Sequence, residues 1–462
     1  MKTILNTIKL VSAISLIFFT SDLYSQRNFT LYHLEGAPQN HYMNPSFKPA
    51  SDINISLPIG MQSASISHSG FALNDLIHPR AEDDSLEVRL DLAIEEMADL
   101  NHFNLDVQNE LLGFGFRVGE NYFSLGILNR MQFNLLYPKD LFKLIYEGNG
   151  RSLLGERASF DGMGLNVNSY MEYGVGYNRV IDEDLMIGGR VKFISGMANI
   201  HTERSIIGLY TDPETFDLTV DGSARVNSSN ITTLMNEENQ MDFSQLSPYA
   251  TNFANFGLGF DLGATYVVSD KLKFSASMND LGFINWKSNN LNYESEEIDF
   301  HYRGIELNGL LEDSLQVFQN LVDTLGNVFT ASSDEDSYTT SLYTRFYLGG
   351  RYLINEKIGA TVLLYNEIVN KRYRAGFHVG VNAKLGQWLS ACVNYGYYGR
   401  SWSNIGIGFS LRGGPVQYFL GVDNIMGPIH FESQKNFHVT TGLTIMIGKP
   451  EADRDLGTLK FK

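Results

Sequence analysis

The chain has 462 residues, 43% of them hydrophobic, and no apolar stretch beyond residue 20 is long enough for a membrane-spanning helix. Its formal net charge of −17 excludes a nucleic-acid partner, because binding to phosphates needs a basic footprint. The single cysteine, Cys392, excludes an internal disulfide and thiol-rich metal sites. Because catalytic and phosphate-binding motifs are also missing from the sequence, we expect no cofactor, no metal and no enzymatic activity.

The first 25 residues have the composition of a secretory signal peptide. Lys2 and Lys9 form a positive region, residues 10–19 form an apolar run, and the small Ser25 suits the position before a cleavage site. We therefore predict cleavage between Ser25 and Gln26 and export of the remaining chain.

Residues 26–52 separate the signal peptide from the first predicted strand. Their central part, APQNHYMNPSFKP at residues 37–49, is rich in proline and asparagine and cannot be a central strand, because proline lacks the N–H that a strand ladder needs. Two interpretations remain open: an N-terminal hatch that folds into the lumen of a barrel, or a periplasmic lead-in to the first strand.

Beyond residue 52, apolar and small polar side chains alternate residue by residue in a series of blocks. In residues 256–268, Phe260, Leu262 and Tyr266 share one parity, while Asp261 and Thr265 share the other. A strand places the two parities on opposite faces. Short turns alternate with long polar loops between the blocks, which is typical of a transmembrane barrel with lipid outside and water inside.

Turn parity predicts an all-β fold, a closed antiparallel transmembrane barrel of about 14 strands over residues 53–448, with both ends in the periplasm. The predicted strands cover residues 53–67, 104–118, 122–137, 164–180, 185–201, 256–268, 272–286, 341–354, 358–370, 373–385, 388–398, 403–411, 416–425 and 437–447. An even count lets the last strand pair with the first, so that no edge is left open in the membrane. Residues 449–462 are expected to form a periplasmic tail.

The long outer loops are expected to hold short helices at residues 85–100, 141–146 and 310–325. Residues 291–307 alternate like a further strand. If they crossed the membrane, the short turn at residues 355–357 would fall on the long-loop side. Residues 202–254 and 287–336 are therefore interpreted as outer insertions.

Two upward strands end with the same pattern. Each follows a descending strand that contains Gly-x-Gly-Phe, and each ends in an Asn/Asp pair followed by glycine. The residues are Asn279, Asp280 and Gly282 in one copy and Asp423, Asn424 and Gly427 in the other. Because such residues release a strand from its ladder, the pattern indicates either a repeated strand-ending device or a kink that opens a lateral port in the wall.

Charged residues within the strands are expected to point into the lumen or to lie at the rims, because a charge that faces lipid at mid-membrane costs about 2–4 kcal/mol. The lumen candidates are Arg190, Arg351, Glu172 and Asp261, with Glu367 as a further partner for the arginines. They indicate a structural network of ion pairs or, alternatively, a ring of cations that selects anions.

Tyrosines cluster in the later strands, including Tyr347, Tyr352, Tyr395 and Tyr398. Aromatic girdles at the two membrane interfaces are the expected arrangement for a barrel. A platform that binds a ligand inside the lumen is the alternative.

The element Asn44-Pro45-Ser46 resembles the Asn-Pro-Ala element near the N-terminus of FadL-like outer-membrane barrels, with Ser46 in place of alanine. Across residues 27–448 the chain also resembles a group of uncharacterised outer-membrane barrels of Bacteroidota, and PorV-type secretion accessory barrels belong to the same broad set. The resemblance implies the same strand number, an N-terminal hatch, and inward carriage of hydrophobic compounds with sideways release at a wall kink.

These patterns predict a barrel in the outer membrane of a Gram-negative bacterium, surrounded by lipid, that passes or binds small hydrophobic compounds. The alternative is a structural or accessory barrel of a secretion or cell-surface complex, held to a protein partner by its outer insertions or its periplasmic ends. A general aqueous porin is a third hypothesis, against which a plugged lumen argues.

Overall fold

The computed structural model describes residues 28–80, 85–234, 242–302, 332–369, 372–386, 388–398 and 401–448. The predicted signal peptide, the helix predicted at residues 310–325 and the predicted C-terminal tail lie outside these ranges. Within these ranges, no helix combines the length and the hydropathy needed to cross a membrane.

Strands make up most of the described chain. In order they are β1 (Ile53–Ser56), β2 (Met61–His68), β3 (Ile77–Pro79), β4 (Leu86–Val88), β5 (Leu100–Val118), β6 (Asn121–Pro138), β7 (Arg157–Ser159), β8 (Gly164–Val180), β9 (Leu185–Thr211), β10 (Leu218–Ser229), β11 (Phe256–Ser269), β12 (Leu272–Trp286), β13 (Asn292–Tyr302), β14 (Ser332–Asp334), β15 (Tyr338–Ser341), β16 (Thr344–Leu353), β17 (Ile358–Val369), β18 (Arg372–Leu385), β19 (Leu389–Tyr398), β20 (Ser401–Gly413), β21 (Val416–Val422) and β22 (Asn436–Ile447).

The helices are short and lie outside the strands. They are α1 (Phe29–His33), α2 (Leu73–Leu76), α3 (Leu90–Glu96), α4 (Lys139–Glu147) and α5 (Met426–Ile429), with 3₁₀ turns at Pro38–Tyr42, Thr232–Leu234, Phe243–Ala250 and Phe431–Ser433. The helix predicted at residues 141–146 is present as α4. Of the helix predicted at residues 85–100, only Leu90–Glu96 is helical, as α3. The prediction is wrong at both ends, because Leu86–Val88 form β4 and pair with β3, and Leu100 begins β5.

The strands close into an antiparallel barrel of 14 staves, as predicted. A stave is here one position in the ring: β1 with β2 forms one stave, β15 with β16 forms another, and β5, β6, β8, β9, β11, β12 and β17 to β22 form the rest. The ring closes between β22 and the first stave, where Ile447 lies opposite Ile53 and Asn436 lies opposite Ser67. Closure gives the backbone N–H and C=O groups of both terminal staves a partner.

Most strand boundaries match the predicted ones, and β8 and β12 do so at both ends. Two staves are interrupted, by residues 57–60 and by residues 342–343. β21 ends at Val422, before the predicted residue 425. The N–H groups of Asp423 and Ile425 instead reach separately to the carbonyls of His438 on β22 and Ile405 on β20, at 3.1 and 2.8 Å.

The sheet of the barrel continues beyond its long-loop end, and this outer part is here called the extension sheet. β9 has 27 residues and is therefore about 90 Å long at the usual rise of a strand. A strand needs only about 9–11 residues to span a bilayer. Its far end pairs with β7 and β10, β10 pairs with β13, and β13 pairs with β14. The described part of the strand-like residues 291–307, which forms β13, therefore lies outside the ring, as turn parity predicts.

The two faces of the ring are chemically opposite. On β11, the outward Phe260, Leu262 and Tyr266 are 40%, 55% and 51% exposed, whereas the inward Asp261 and Thr265 are each 1% exposed. A soluble barrel would place its apolar side chains inside. The arrangement observed here suits a wall that contacts hydrocarbon.

Candidate functional site

Residues 28–52, here called the lumen segment, lie inside the barrel and contact staves on all of its sides. At the start, the N–H groups of Phe29 and Thr30 donate to the buried Asp423 carboxylate at 3.1 and 2.7 Å. In the middle, Gln39 Nε2 donates to Thr444 Oγ1 at 2.6 Å. Near the end, Arg117 Nη2 donates to the Pro49 carbonyl at 2.7 Å, close to the short-turn end of the barrel.

The lumen segment covers an apolar patch on the inner wall. Its buried Phe29, Leu31, Leu34, Ala37, Tyr42 and Met43 pack with Met61, Leu128, Tyr347, Leu363, Tyr365, Cys392, Tyr398 and Phe419 of the staves. Inward positions of a barrel that holds water are normally polar. This patch is therefore an apolar site inside the lumen, and the lumen segment occupies it.

Phe29 sits in an aromatic cage at the centre of that patch. Its ring stacks on His378 with centroids 4.0 Å apart, and the edges of Tyr365 and Tyr398 approach it with centroids 5.0 Å away. Aromatic pairs prefer these offset and edge-on geometries. No pattern in the sequence singles out Phe29, whereas Tyr365 shares the parity of Glu367, which marks Tyr365 as inward.

The hatch candidates Asn44, Pro45 and Ser46 contact the wall between β8 and β12. The Asn44 Oδ1 accepts from the Ser46 N–H at 2.9 Å, and the Asn178 side chain donates to the Pro45 carbonyl at 2.8 Å. A Cβ on Gly263 would lie 2.1 Å from Asn44 Oδ1. The turn fits against the wall because the facing strand position carries no side chain.

The first kink candidate is a bulge in β12. The register between β11 and β12 shifts between Phe260 and Leu262, so that Asn279 and Asp280 together face Asp261. Asp280 has a φ of 59°, in the left-handed region that non-glycine residues rarely adopt. Next to the bulge, β12 exchanges its partner β16 for β15 across residues 342–343. Asn279 Nδ2 also donates to the Met43 carbonyl at 2.6 Å, which links the bulge to the lumen segment.

A group of buried ionic side chains, here called the charge cluster, surrounds Asp280. Its members are at most 8% exposed: Arg130, Glu172, Arg190, Lys192, Asp261, Asp280, Arg345, Glu367 and Arg374. Asp280 accepts from Arg130 at 3.2 Å, from Arg345 at 2.9 Å and from Lys192. Glu172 bridges Arg130 at 2.9 Å and Arg190 at 3.2 Å. With five cations and four carboxylates in contact, the arrangement is a nearly neutral network rather than a ring of like charge.

Three of the four lumen charge candidates, Arg190, Glu172 and Asp261, belong to the charge cluster. Arg351 does not: its ion pair is with Glu35 of the lumen segment, nearer the short-turn end. The prediction that it pairs with Glu172, Asp261 or Glu367 is therefore wrong. The sequence alone leaves open whether the residues before the first strand enter the lumen. Glu35 therefore could not be chosen as the partner of Arg351.

At the second kink candidate β21 ends, and the pairs that β21 forms with β20 and β22 contain no bulge. Asp423 holds the start of the lumen segment and lies 2.8 Å from His438 Nδ1. Asn424 donates to the side chain of Asn436 at 3.0 Å, and Gly427 lies in the short helix α5 against Phe437. This copy of the pattern is an anchor point for the lumen segment.

The histidines of the lumen segment are neutral at neutral pH. Burial lowers the pKa of His33 to about 3, and burial together with the nearby Arg190 lowers the pKa of His41 to about 4. His33 Nδ1 lies 2.8 Å from Thr361 Oγ1, and His41 Nδ1 lies 2.7 Å from the Pro38 carbonyl.

The geometry defines a class: a closed 14-stranded barrel whose lumen is filled by its own N-terminal segment. The family model described as "Family of unknown function (DUF5723)" matches residues 45–423, and the chain belongs to this family.

Comparison with curated proteins and solved structures gives distant similarities only. No curated protein matches the sequence significantly. The Ralstonia pickettii toluene transporter TbuX is 9% identical with a TM-score of 0.39, over 89% of this chain and 92% of that chain. The P. putida toluene transporter TodX is 10% identical with a TM-score of 0.41, over 93% and 96%. A Pseudomonas aeruginosa FadL homologue is 9% identical with a TM-score of 0.35, over 91% and 97%.

Proposed function

We propose that this protein is an outer-membrane barrel that binds small hydrophobic compounds in its lumen and passes them inward. The observation that carries the proposal is the aromatic cage around Phe29, an apolar site on an inner wall where polar residues are expected. A small aromatic or aliphatic compound has the size and the chemistry to replace that ring. The apolar outer face of the staves supports the location in a membrane.

In this proposal the lumen segment is a movable hatch. The wall contacts described above are hydrogen bonds, ion pairs and ring packing, and the segment leads directly into β1 at the short-turn end. That end faces the periplasm in the orientation predicted from the turns. Release of Phe29 by an incoming compound would loosen the segment towards that side. The bulge at Asp280, beside an interrupted stave, is the proposed position of a lateral port.

Uptake by cells or proteoliposomes tests the transport step. A panel of fatty acids and aromatic hydrocarbons is offered to the wild type and to a deletion strain. Faster uptake of at least one compound class by the wild type is expected. Equal uptake across the whole panel would contradict transport.

Ligand binding tests the cage itself. Phe29→Ala empties the cage, and because a buried phenylalanine is worth about 1.5–3 kcal/mol, an aromatic probe such as naphthalene should bind about ten-fold more tightly or better. Phe274→Ala is the matched control, since Phe274 is 50% exposed on the outer face. If both variants bind the probe like the wild type, the cage is not the ligand site.

The extension sheet favours a second candidate, an accessory barrel that holds a protein partner. Its strands β10, β13 and β14 pair with one another and with β9 outside the ring, where they contribute nothing to closure. Mild cross-linking of intact cells followed by purification separates the two functions. A stoichiometric partner that is lost when residues 212–229 are deleted, together with unchanged uptake, would favour the accessory role.

A further inference from the structure

The cage around Phe29 includes a heteroaromatic ring, the imidazole of His378. This side chain is 0% exposed, and in the described part of the chain its Nε2 atom has no hydrogen-bond partner. Because the Phe29 ring stacks on the imidazole, with the two planes inclined by 29°, Nε2 borders the space that Phe29 fills. Buried polar atoms are almost always hydrogen-bonded to protein, water or ligand. A compound that replaces the Phe29 ring can therefore supply the partner that Nε2 lacks.

A chain of hydrogen bonds determines whether Nε2 donates or accepts. The Thr30 hydroxyl donates its only proton to the Val422 carbonyl at 3.0 Å, so it can only accept from the Asn394 side chain, 3.0 Å away. Asn394 therefore turns its NH₂ group towards Thr30 and its Oδ1 towards His378 Nδ1, at 3.3 Å. Since an amide oxygen cannot donate, the His378 proton is on Nδ1, and Nε2 is left as an acceptor. This chain does not pass through the Phe29 ring, so it persists when only that ring is replaced.

The His378 imidazole is neutral in these surroundings. The charge of Asp423 acts on it, but no ion pair joins these two described residues, and Asp423 is already bound by two N–H groups of the lumen segment and by His438. A buried charge without a close partner is costly. Nε2 therefore carries no second proton and cannot serve as a donor.

We propose that His378 makes the cage selective for aromatic alcohols, whose hydroxyl donates to Nε2 while their ring takes the place of Phe29. This selectivity rests on the proposed function, since it narrows the class of small hydrophobic compound that the cage binds. Nε2 accepts in the plane of the imidazole, whereas a ring stacked like that of Phe29 lies above this plane. A hydroxyl on a short aliphatic arm, as in benzyl alcohol, reaches across this offset better than a hydroxyl on the ring itself.

The experiment compares two compounds of nearly equal shape on the mature full-length barrel in a non-ionic detergent. Ethylbenzene and benzyl alcohol differ only in a methyl group and a hydroxyl. Their binding to Phe29→Ala, in which the cage is empty, is measured by displacement of bound naphthalene. The readout is the affinity for benzyl alcohol relative to that for ethylbenzene. Because each compound partitions into the detergent equally in all variants, partitioning cancels when this relative affinity is compared between them.

Matched variants locate the acceptor. In the Phe29→Ala background, His378→Phe keeps an aromatic ring in the wall and removes Nε2. The relative affinity for benzyl alcohol should fall about ten-fold, because a buried hydroxyl that loses its partner retains the full cost of its desolvation. His430→Phe makes the same replacement at a histidine whose side chain is 54% exposed, and it should leave the relative affinity unchanged. Resistance to unfolding in SDS at room temperature checks that each barrel has closed.

Nitrogen NMR provides a second measurement that needs no change at His378. In Phe29→Ala with isotope-labelled histidine, one imidazole should carry its proton on Nδ1 and have an Nε2 signal that shifts with benzyl alcohol but not with ethylbenzene. This shift reports hydrogen bonding to Nε2 directly, which a purely structural role of the ring would not produce. It carries the test if His378→Phe does not close.

Failure of this selectivity can be told apart from failure of the cage. If naphthalene itself does not bind to Phe29→Ala, the cage is not a ligand site, and the selectivity is overturned together with the proposed function. If naphthalene binds, three results overturn the selectivity alone. They are an unchanged relative affinity in His378→Phe, an equal fall in His430→Phe, and the absence of an imidazole that responds to benzyl alcohol alone.

Discussion

Asp423 connects two parts of the protein that are far apart in sequence. Its carboxylate accepts from two N–H groups at the start of the lumen segment, 393 and 394 positions away, and it contacts His438 of β22. Hydrogen bonds to a charged group are worth about 1.5–3 kcal/mol each. This one side chain therefore accounts for a large part of the docking of the lumen segment at its outer end.

Asp423→Asn is expected to loosen that docking. The amide keeps the size of the side chain and one oxygen, but it loses the charge that strengthens the bonds to Phe29 and Thr30. The rate at which a soluble maleimide labels Cys392 should rise on the order of ten-fold. Asp270→Asn, in an exposed turn, should label like the wild type. An unchanged rate in Asp423→Asn would show that the lumen segment is held elsewhere.

Asp280 is the central acid of the charge cluster. Asp280→Ala leaves Arg130, Lys192 and Arg345 without the carboxylate that each of them contacts. Removing one partner of a buried ion pair costs about 3–5 kcal/mol. We expect a lower urea midpoint for unfolding of the barrel in lipid vesicles, with Asp270→Ala as the control at an exposed acid. A urea midpoint equal to that of the wild type would mean that water solvates the three cations in place of the lost carboxylate.

At the scale of elements, the fit between β11 and the lumen segment depends on the absence of a side chain at Gly263. In Gly263→Ala the added Cβ would lie 2.1 Å from Asn44 Oδ1, so the Asn44-Pro45 turn has to move. Faster chymotryptic cleavage after Tyr42 is expected, measured by mass spectrometry of the released N-terminal fragments. Gly189→Ala is the control, because its Cβ would meet no atom closer than 3.6 Å. Cleavage at the same rate in both variants would argue against a tight fit.

Docking of the lumen segment should weaken in acid. The docked histidines have pKa values of about 3 for His33 and about 4 for His41, below the free value of 6.5. The undocked segment therefore binds more protons between these limits, so docking is at full strength above about pH 6.5 and is lost as the pH falls towards the docked values. Chymotryptic cleavage after Tyr42, measured relative to a short unstructured peptide with the same site at the same pH, should be faster at pH 5 than at pH 8. A double variant, His33→Gln with His41→Gln, should lose much of this difference.

The sequence predicts the ring well because of its two-residue periodicity. β8 and β12 are predicted at both ends, since strict alternation meets a short turn there. Residues 202–211 of β9 are not predicted as a strand, because this part of β9 extends beyond the ring and the contrast between its two faces fades. Tyr347 and Tyr398, expected in the girdles, face the lumen segment instead. Such contacts join distant positions, and periodicity carries no information about them.

At the scale of the whole molecule, residues within the described ranges fill the lumen of the barrel. The lumen segment and the charge cluster together occupy the space through which ions would pass. We therefore expect little conductance from the wild type in a planar bilayer. Deletion of residues 28–50 should produce discrete conducting steps, because the remaining wall is rich in polar side chains. Equal traces from the two proteins, after both pass a folding check, would contradict this view of the lumen.

The pairing of β22 with β1 and β2 has a consequence for biogenesis. β22, which seals the cylinder, follows all other strands of the ring in the sequence, so the wall cannot be completed before those strands have been synthesised. A product truncated before residue 436 would expose two unsatisfied strand edges, which template aggregation. The lumen segment precedes every strand of the ring in the sequence and ends innermost, so it has to be enclosed while the seam is still open.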